Sequence, residues 1–192
     1  MKQKMEIQVN LAKPWKAVNG HAVAPVVIVR EGVHCGSVGC VFHPAEPLQG
    51  LAKQFNNIPV VLNHPKNSSG KYVSVYDGTA TNLVVLGRVK NSKWDEKRKA
   101  ITADLELKLT GNGASEARNC KEVSMGVYCT EVEAYGQWNG EHYIARAVSY
   151  EPDHVAVLTD EPGACSWADG CGIRANELQN EDIEPMLPPG VK

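Results

Sequence analysis

Long apolar runs are missing from this chain. No stretch of its 192 residues approaches the ~20 consecutive apolar positions that a bilayer-spanning helix needs, so no membrane span is expected. An excess of one charge is missing too. Lys and Arg number 20 against 22 Asp and Glu, a net charge of −2, which leaves neither a nucleic-acid footprint nor an attraction to anionic lipid. The opening stretch MKQKMEIQVNLAKPW is basic but lacks the unbroken apolar core of a signal peptide. No internal repeat and no low-complexity tract interrupts the chain. These absences describe a soluble, intracellular protein. In that compartment the six cysteines, at 35, 40, 120, 129, 165 and 171, are expected as reduced thiols. The sequon at Asn67 then reads as an ordinary loop.

What is present is mostly strand. APVVIVR (24–30) and IPVVLN (58–63) are short, rich in Val and Ile, and bounded by Pro, Gly or Asn. Between them Leu48, Leu51, Ala52 and Phe55 fall at helical spacing behind Pro44 and Pro47, which predicts one amphipathic helix. Residues 82–109 read as two strands joined by a charged turn, with Leu105, Leu107 and Leu109 alternating with Glu106 and Lys108. ASEARNCKE offers a short helix with Ser115 as N-cap. EVSMGVYCTEVEAYGQWNGEHYIARAVSY reads as a long hairpin turning at Asn139-Gly140, and PDHVAVLTD as a last, separate strand. After Asp160 the chain becomes turn-rich, then acidic and proline-containing without periodicity. The expectation is a mainly β (α+β) domain over residues 1–160 with two helices. An irregular extension and mobile tail follow over 161–192.

Three polar residues stand out against this apolar background. In LNHP an apolar run ends at His64, which Pro65 holds in extended backbone. In EVSMGVY, Val123, Met125 and Val127 alternate with Ser124, Gly126 and Tyr128. If the apolar set packs inward, Ser124 faces the other way beside Gly126, whose missing side chain leaves room for another backbone, such as a substrate's. In PDHVAVL, His154 opens an apolar run. A serine hydroxyl becomes a nucleophile only when a base within reach takes its proton, and that base needs a third group to orient it. One serine and two histidines supply the types required; spacing alone does not bring them together. A strand serine on a solvated face and two hydrogen-bonded strand-end histidines are the structural alternative.

Metal chemistry has its own candidates. His34, Cys35, Cys40 and His43 in VHCGSVGCVFH are ligand types suited to Zn²⁺, as is a Cys165/Cys171 pair with His154. Adjacent His34 and Cys35 do not both turn readily toward one ion from extended backbone, and the spacing matches no common zinc pattern, so no metal and no cofactor is assigned. Cys35 as a thiol nucleophile is the weaker option still.

The order IPVVLNHP, EVSMGVY, PDHVAVL resembles the phage prohead (procapsid) maturation proteases and, more distantly, the herpesvirus assemblin proteases. REGV at 30–33, FHPAEPLQGLA ahead of the first histidine, and LGRVKNSKWD ahead of ITADLEL extend the likeness over about residues 25–160. Those families use a Ser-His-His triad in the chain order His, Ser, His. The resemblance implies an assemblin-like antiparallel β-barrel, closed or nearly so, flanked by a few helices. It implies a serine endopeptidase with Ser124 as nucleophile, His64 as general base and His154 as the orienting third member. Its substrates would be capsid and scaffold polypeptides, cut in the host cytoplasm inside an assembling prohead. A homo-oligomer is compatible with the chain, and neither nucleic acid nor membrane is a partner. The other reading is a non-catalytic head-assembly or scaffold-linked module of the same fold. One departure concerns the arginine that those families place after the third-member strand. Here TDEPGACSWADG holds none before Arg174, which leaves Arg146 or backbone N–H groups near Gly126 or Gly163 as oxyanion donors.

Overall fold

A computed structural model describes residues 16–18, 21–36, 39–108 and 110–174. Ten strands among them form one curled, half-barrel sheet: β1 (Lys16–Val18), β2 (His21–Arg30), β3 (Gly32–Gly36), β4 (Gly39–His43), β5 (Pro59–Leu62), β6 (Val85–Asp95), β7 (Ala100–Lys108), β8 (Glu122–Trp138), β9 (Glu141–Leu158) and β10 (Gly172–Ile173). The helices α1 (Ala45–Ala52) and α2 (Ala114–Ala117) are short. The protein is mainly β, as its composition of strand signals predicts. No helix among the described residues is long and apolar enough to cross a membrane.

The strand path runs β1-β2-β7-β6-β5-β9-β4-β3, with β8 on β9 and β10 on β2. Most neighbours are antiparallel, but β9 pairs parallel with both β4 and β5, so the sheet is mixed rather than purely antiparallel. Between β2 and β8, β10 spans the curl: it pairs with Val26 and Val27 of β2, and the Ile173 N–H donates to the Lys121 carbonyl at 2.8 Å.

α1 forms where its apolar spacing predicts. Leu48, Leu51 and Ala52 are buried, and a 3₁₀ turn over Lys53–Phe55 carries the stripe on to buried Phe55. These side chains join Val26, Ile28, Val60, Val89, Ile101, Leu105, Val155 and Val157 in one core. Each is worth roughly 1.5–3 kcal/mol when taken from water. Leu105 and Leu107 are buried between half-exposed Glu106 and exposed Lys108, as their alternation requires; Leu109 lies outside the described residues.

Continuous apolar runs mark strands covered on both faces. On β2, Val26 and Ile28 face the main core while Val27 packs outward against Ala100, Cys165 and Cys171. On β5 and β9, Val61, Ala156 and Leu158 face outward beneath Val75. The outer covers are loops, which periodicity does not reveal.

Four expectations are corrected. PDHVAVL is no separate strand but the second half of β9, continuous with the hairpin that turns at Asn139-Gly140, both in positive φ. The residue before α2 is Gly113 at φ +78, which starts the helix ahead of Ser115 and leaves Ser115 inside it rather than capping it. The cysteines are not all thiols. Cys35 and Cys40 face each other across the β3–β4 hairpin and are bonded, Cys165 bonds Cys171 across a tight loop, and Cys120 and Cys129 stay free. Finally, the stretch after Asp160 that reads as irregular carries β10 and the Cys165–Cys171 bond. The tail, 175–192, lies outside the described residues.

Candidate active site

Of the two histidines, His64 needs the more unusual backbone. Leu62 of β5 lies opposite Val157 of β9, so a straight continuation would carry residue 64 to the level of Thr159. That is five residues, roughly 16 Å, from the level of His154 at strand rise. Asn63 prevents the continuation. It adopts φ +57, a left-handed conformation that Asn tolerates better than most residues. Its N–H donates to the Val157 carbonyl, its side-chain amide donates to Thr159 Oγ1, and its side-chain oxygen accepts from the Thr159 N–H. The chain therefore leaves the sheet at Asn63, and His64 turns back over the end of β9. Its Nδ1 lies 2.7 Å from His154 Nε2, with the rings edge to face.

His154 reaches this point through a bulge. Gly126 pairs with His154 but Val127 pairs with Pro152, so Asp153 is the extra residue on β9. A bulge lets consecutive side chains turn to the same side. Asp153 and His154 do so, and Asp153 Oδ2 sits 2.7 Å from His154 Nδ1. Gly126 supplies the space. A Cβ there would lie 2.2 Å from His154 Cε1, so the room that the sequence assigns to a substrate backbone is filled by the His154 ring.

The hydrogen-bond chain determines the proton positions. Asp153 is a carboxylate and only accepts, so His154 Nδ1 carries a proton. Neutral His154 then accepts at Nε2, His64 donates from Nδ1, and His64 Nε2 is left with a free lone pair. Burial lowers the His64 pKa to about 4, helped by the neighbouring His154 and by Lys66. Burial also lowers His154, although the Asp153 carboxylate opposes it. Burial works to raise the Asp153 carboxyl, but hydrogen bonds from Ser74, His154 and the Val75 N–H outweigh it and hold it below the usual range.

Ser124 lies opposite Ala156 on β8, half-buried. It borders the same cleft, about 530 Å³, as His64, Gly126, Asp153 and His154. The structure thus joins the two histidines directly and places the serine in their cleft. The Ser124 hydroxyl makes no hydrogen bond to His64 or to any other described residue.

Gly163 and Ala164 form the facing wall of the cleft. A Cβ at Gly163 would lie 2.3 Å from the Val123 carbonyl, so only glycine lets this loop lie against the residue before Ser124. The Gly163 N–H already donates to Glu122 Oε2 at 3.3 Å. Arg174 donates from Nε to the Cys171 carbonyl, and neither Arg174 nor Arg146 borders the cleft.

The His34/Cys35/Cys40/His43 group is arranged otherwise. Its two sulfurs bond each other, His34 Nε2 bonds the Arg30 carbonyl, and His43 Nδ1 bonds the Tyr150 hydroxyl. Cys165 is bonded to Cys171, apart from His154.

Sequence reasoning missed Asp153 and Asn63. Asp153 had a signal: a carboxylate between Pro152 and a singled-out histidine. Adjacent strand residues ordinarily face opposite ways, and the bulge that overrides this is a property of the pairing. Comparison with known protein families, with curated proteins and with solved structures returns no match.

Proposed function

We propose that the protein is a serine endopeptidase acting through Ser124, with His64 as base and His154 as the group that orients it. The observation that carries this reading is the 2.7 Å His64–His154 bond in a cleft that Ser124 also borders, with Asp153 beyond. His64 Nε2 takes the Ser124 proton as Oγ attacks the peptide carbonyl. The imidazolium formed on His64 faces His154, which the Asp153 carboxylate anchors. His64 then returns the proton to the leaving amine, and water repeats the sequence on the acyl-enzyme. A catalytic hydrogen bond is often long or unformed in the absence of substrate and tightens when substrate binds.

The resemblance of IPVVLNHP, EVSMGVY and PDHVAVL to prohead proteases and assemblins names the substrate class, scaffold and capsid polypeptides cut during phage head maturation. The assemblin-like barrel belongs to the same proposal. A second reading, a non-catalytic assembly module of that fold, draws on the unbonded Ser124 hydroxyl. A fluorophosphonate separates the two. Labelling at Ser124 that disappears in His64→Ala supports the peptidase; a correctly folded chain that is never labelled overturns it.

A further inference from the structure

Residues 63–84 connect β5 to β6 with no helix and only an isolated Lys66–Tyr72 bridge; the loop proper, 65–84, is longer than the ~12–15 residues at which such loops become uncommon and are usually functional. The base of this loop is closed on itself. The Lys66 N–H donates to Asn82 Oδ1, the Thr81 N–H to the Lys66 carbonyl, and the Asn82 amide to the His64 carbonyl. Where it meets the barrel, three of its contacts fall on or beside the candidate site. The Tyr72 ring lies edge-on to His64, Val75 covers Val61, Ala156 and Leu158, and Ser74 with Val75 grips Asp153.

The Asp153 grip is specific. Ser74 Oγ donates to Asp153 Oδ1 while accepting from the Tyr76 N–H, and the Val75 N–H donates to Asp153 Oδ2 at 3.0 Å. The Asp153 side chain is only 8 % exposed, and its remaining partner is His154. Two of its three donors therefore come from the loop. Without them a buried carboxylate would keep a single hydrogen bond, a situation that burial penalises.

We propose that Asp153 is a positioning residue for the Ser124 site, and that the 65–84 loop, through Ser74 and the Val75 N–H, holds it there, so that docking of this loop completes the relay. The inference rests on the peptidase reading but makes a separate claim. Two rings in series behave as one switch. With Asp153 seated, His154 is protonated on Nδ1, His64 on Nδ1, and His64 Nε2 is free to accept. With Asp153 displaced, His154 is free to carry its proton on Nε2; that N–H then faces His64 Nδ1, His64 is driven to carry its own proton on Nε2, and no acceptor faces Ser124. The charged and titratable groups around the relay are Asp153 and His154 from β9, His64 from the end of β5, Lys66 and Tyr72 from the loop, and Glu161 from the cleft wall.

The test uses the full chain, with ¹⁵N-imidazole spectra to read the tautomers and fluorophosphonate labelling to read Ser124. The wild-type chain should show His64 and His154 each in the Nδ1–H form. Asp153→Asn should mix the tautomers and slow labelling by about ten- to a hundredfold, less than loss of a directly bonded triad acid. Ser74→Ala should move both readouts the same way by less, and Ser74→Thr, which restores a hydroxyl, should recover them. A labelled wild type whose Asp153→Asn and Ser74→Ala forms keep its tautomers and its rate overturns the relay while leaving the peptidase intact. A wild type that resists labelling, yet loses its single tautomer in Asp153→Asn, overturns the peptidase and keeps the relay.

Discussion

Among the described residues are two histidine pairs that match closely in isolation, with His34, His43 and His154 buried and His64 half-buried. His34 and His43 are 9 % and 8 % exposed with ring centroids 5.2 Å apart; in the other pair, His154 is 5 % exposed and its ring lies 5.0 Å from that of His64. Burial lowers the pKa of all four, His43 to about 3 and His64 to about 4. They differ in what the hydrogen bonds end on. His34 ends on a backbone carbonyl and His43 on a tyrosine hydroxyl whose own pKa burial raises, so neither faces a carboxylate within bonding distance. The two rings do not bond each other. His64 and His154 do, and the chain they form ends on a carboxylate at one end and an open cleft at the other. Burial and a lowered pKa are common to both pairs; the directed hydrogen-bond path, on which the proposed catalytic role rests, belongs to one.

The largest expected effect should break the equivalence of the pairs. Ser124→Ala and His64→Ala should each drop peptide cleavage and labelling to background, with little further loss when combined, because the proposed mechanism makes the two groups act as a unit. His43→Leu combined with Tyr150→Phe should leave the labelling rate essentially unchanged. Equal losses in both sets would mean that the substitutions act through the fold.

Gly126→Ala comes next. The added methyl must displace a ring held by hydrogen bonds at both nitrogens, so the His64–His154 bond should be lost. Cleavage should then fall by about a hundredfold or more, the order expected when geometry at a reacting group slips by ~1 Å. A fully active Gly126→Ala would show that the ring position is not required.

His154→Ala should fall between these and wild type, keeping measurable cleavage, because in the proposed mechanism His154 orients the base and does not itself take the serine proton. Its loss should cost roughly ten- to a hundredfold less than that of His64. A greater loss than in His64→Ala would exchange the two roles.

Activity against pH should sharpen the comparison further. In the proposed mechanism His64 works as base when neutral, and its pKa is lowered, so the acid limb should lie below the ordinary histidine value of about 6.5 rather than at it, with a plateau through neutrality. Measuring cleavage from about pH 4 to 9 tests this. A limb at or above about 6.5 would show that His64 is not held in this environment.

The smallest effect concerns stability. A histidine with a folded pKa below its unfolded value binds fewer protons when folded. Stability is therefore full above about pH 6.5 and declines as pH falls toward the folded value, about 3 for His43. The His43→Leu, Tyr150→Phe pair removes both hydrogen-bonding partners together, which should be close to neutral at pH 7. In thermal melts the same variant should lose less stability than wild type between about pH 6.5 and 4. An unchanged acid slope would remove His43 from the account of acid sensitivity.

Much of this protein was legible along the chain because the signals were local. Leu48, Leu51, Ala52 and Phe55 spell a helix face at 3.6-residue spacing, Asn139-Gly140 spells a hairpin turn, and VVIV and PVVL spell buried strands. His64, Ser124 and His154 could be singled out as polar interruptions of apolar runs. The relation among them could not. The left-handed turn at Asn63 exists because Thr159 and Val157, far along the chain, hold it. Asp153 faces the site because the β8–β9 register slips by one residue at Gly126. Cys35 and Cys40 pair because a hairpin sets them opposite each other. Periodicity determines which face a side chain takes within one element. Register, bulges and the loops that cover a sheet arise between elements, and there only the tertiary structure decided that one histidine pair ends on a carboxylate while the other ends on a carbonyl and a tyrosine.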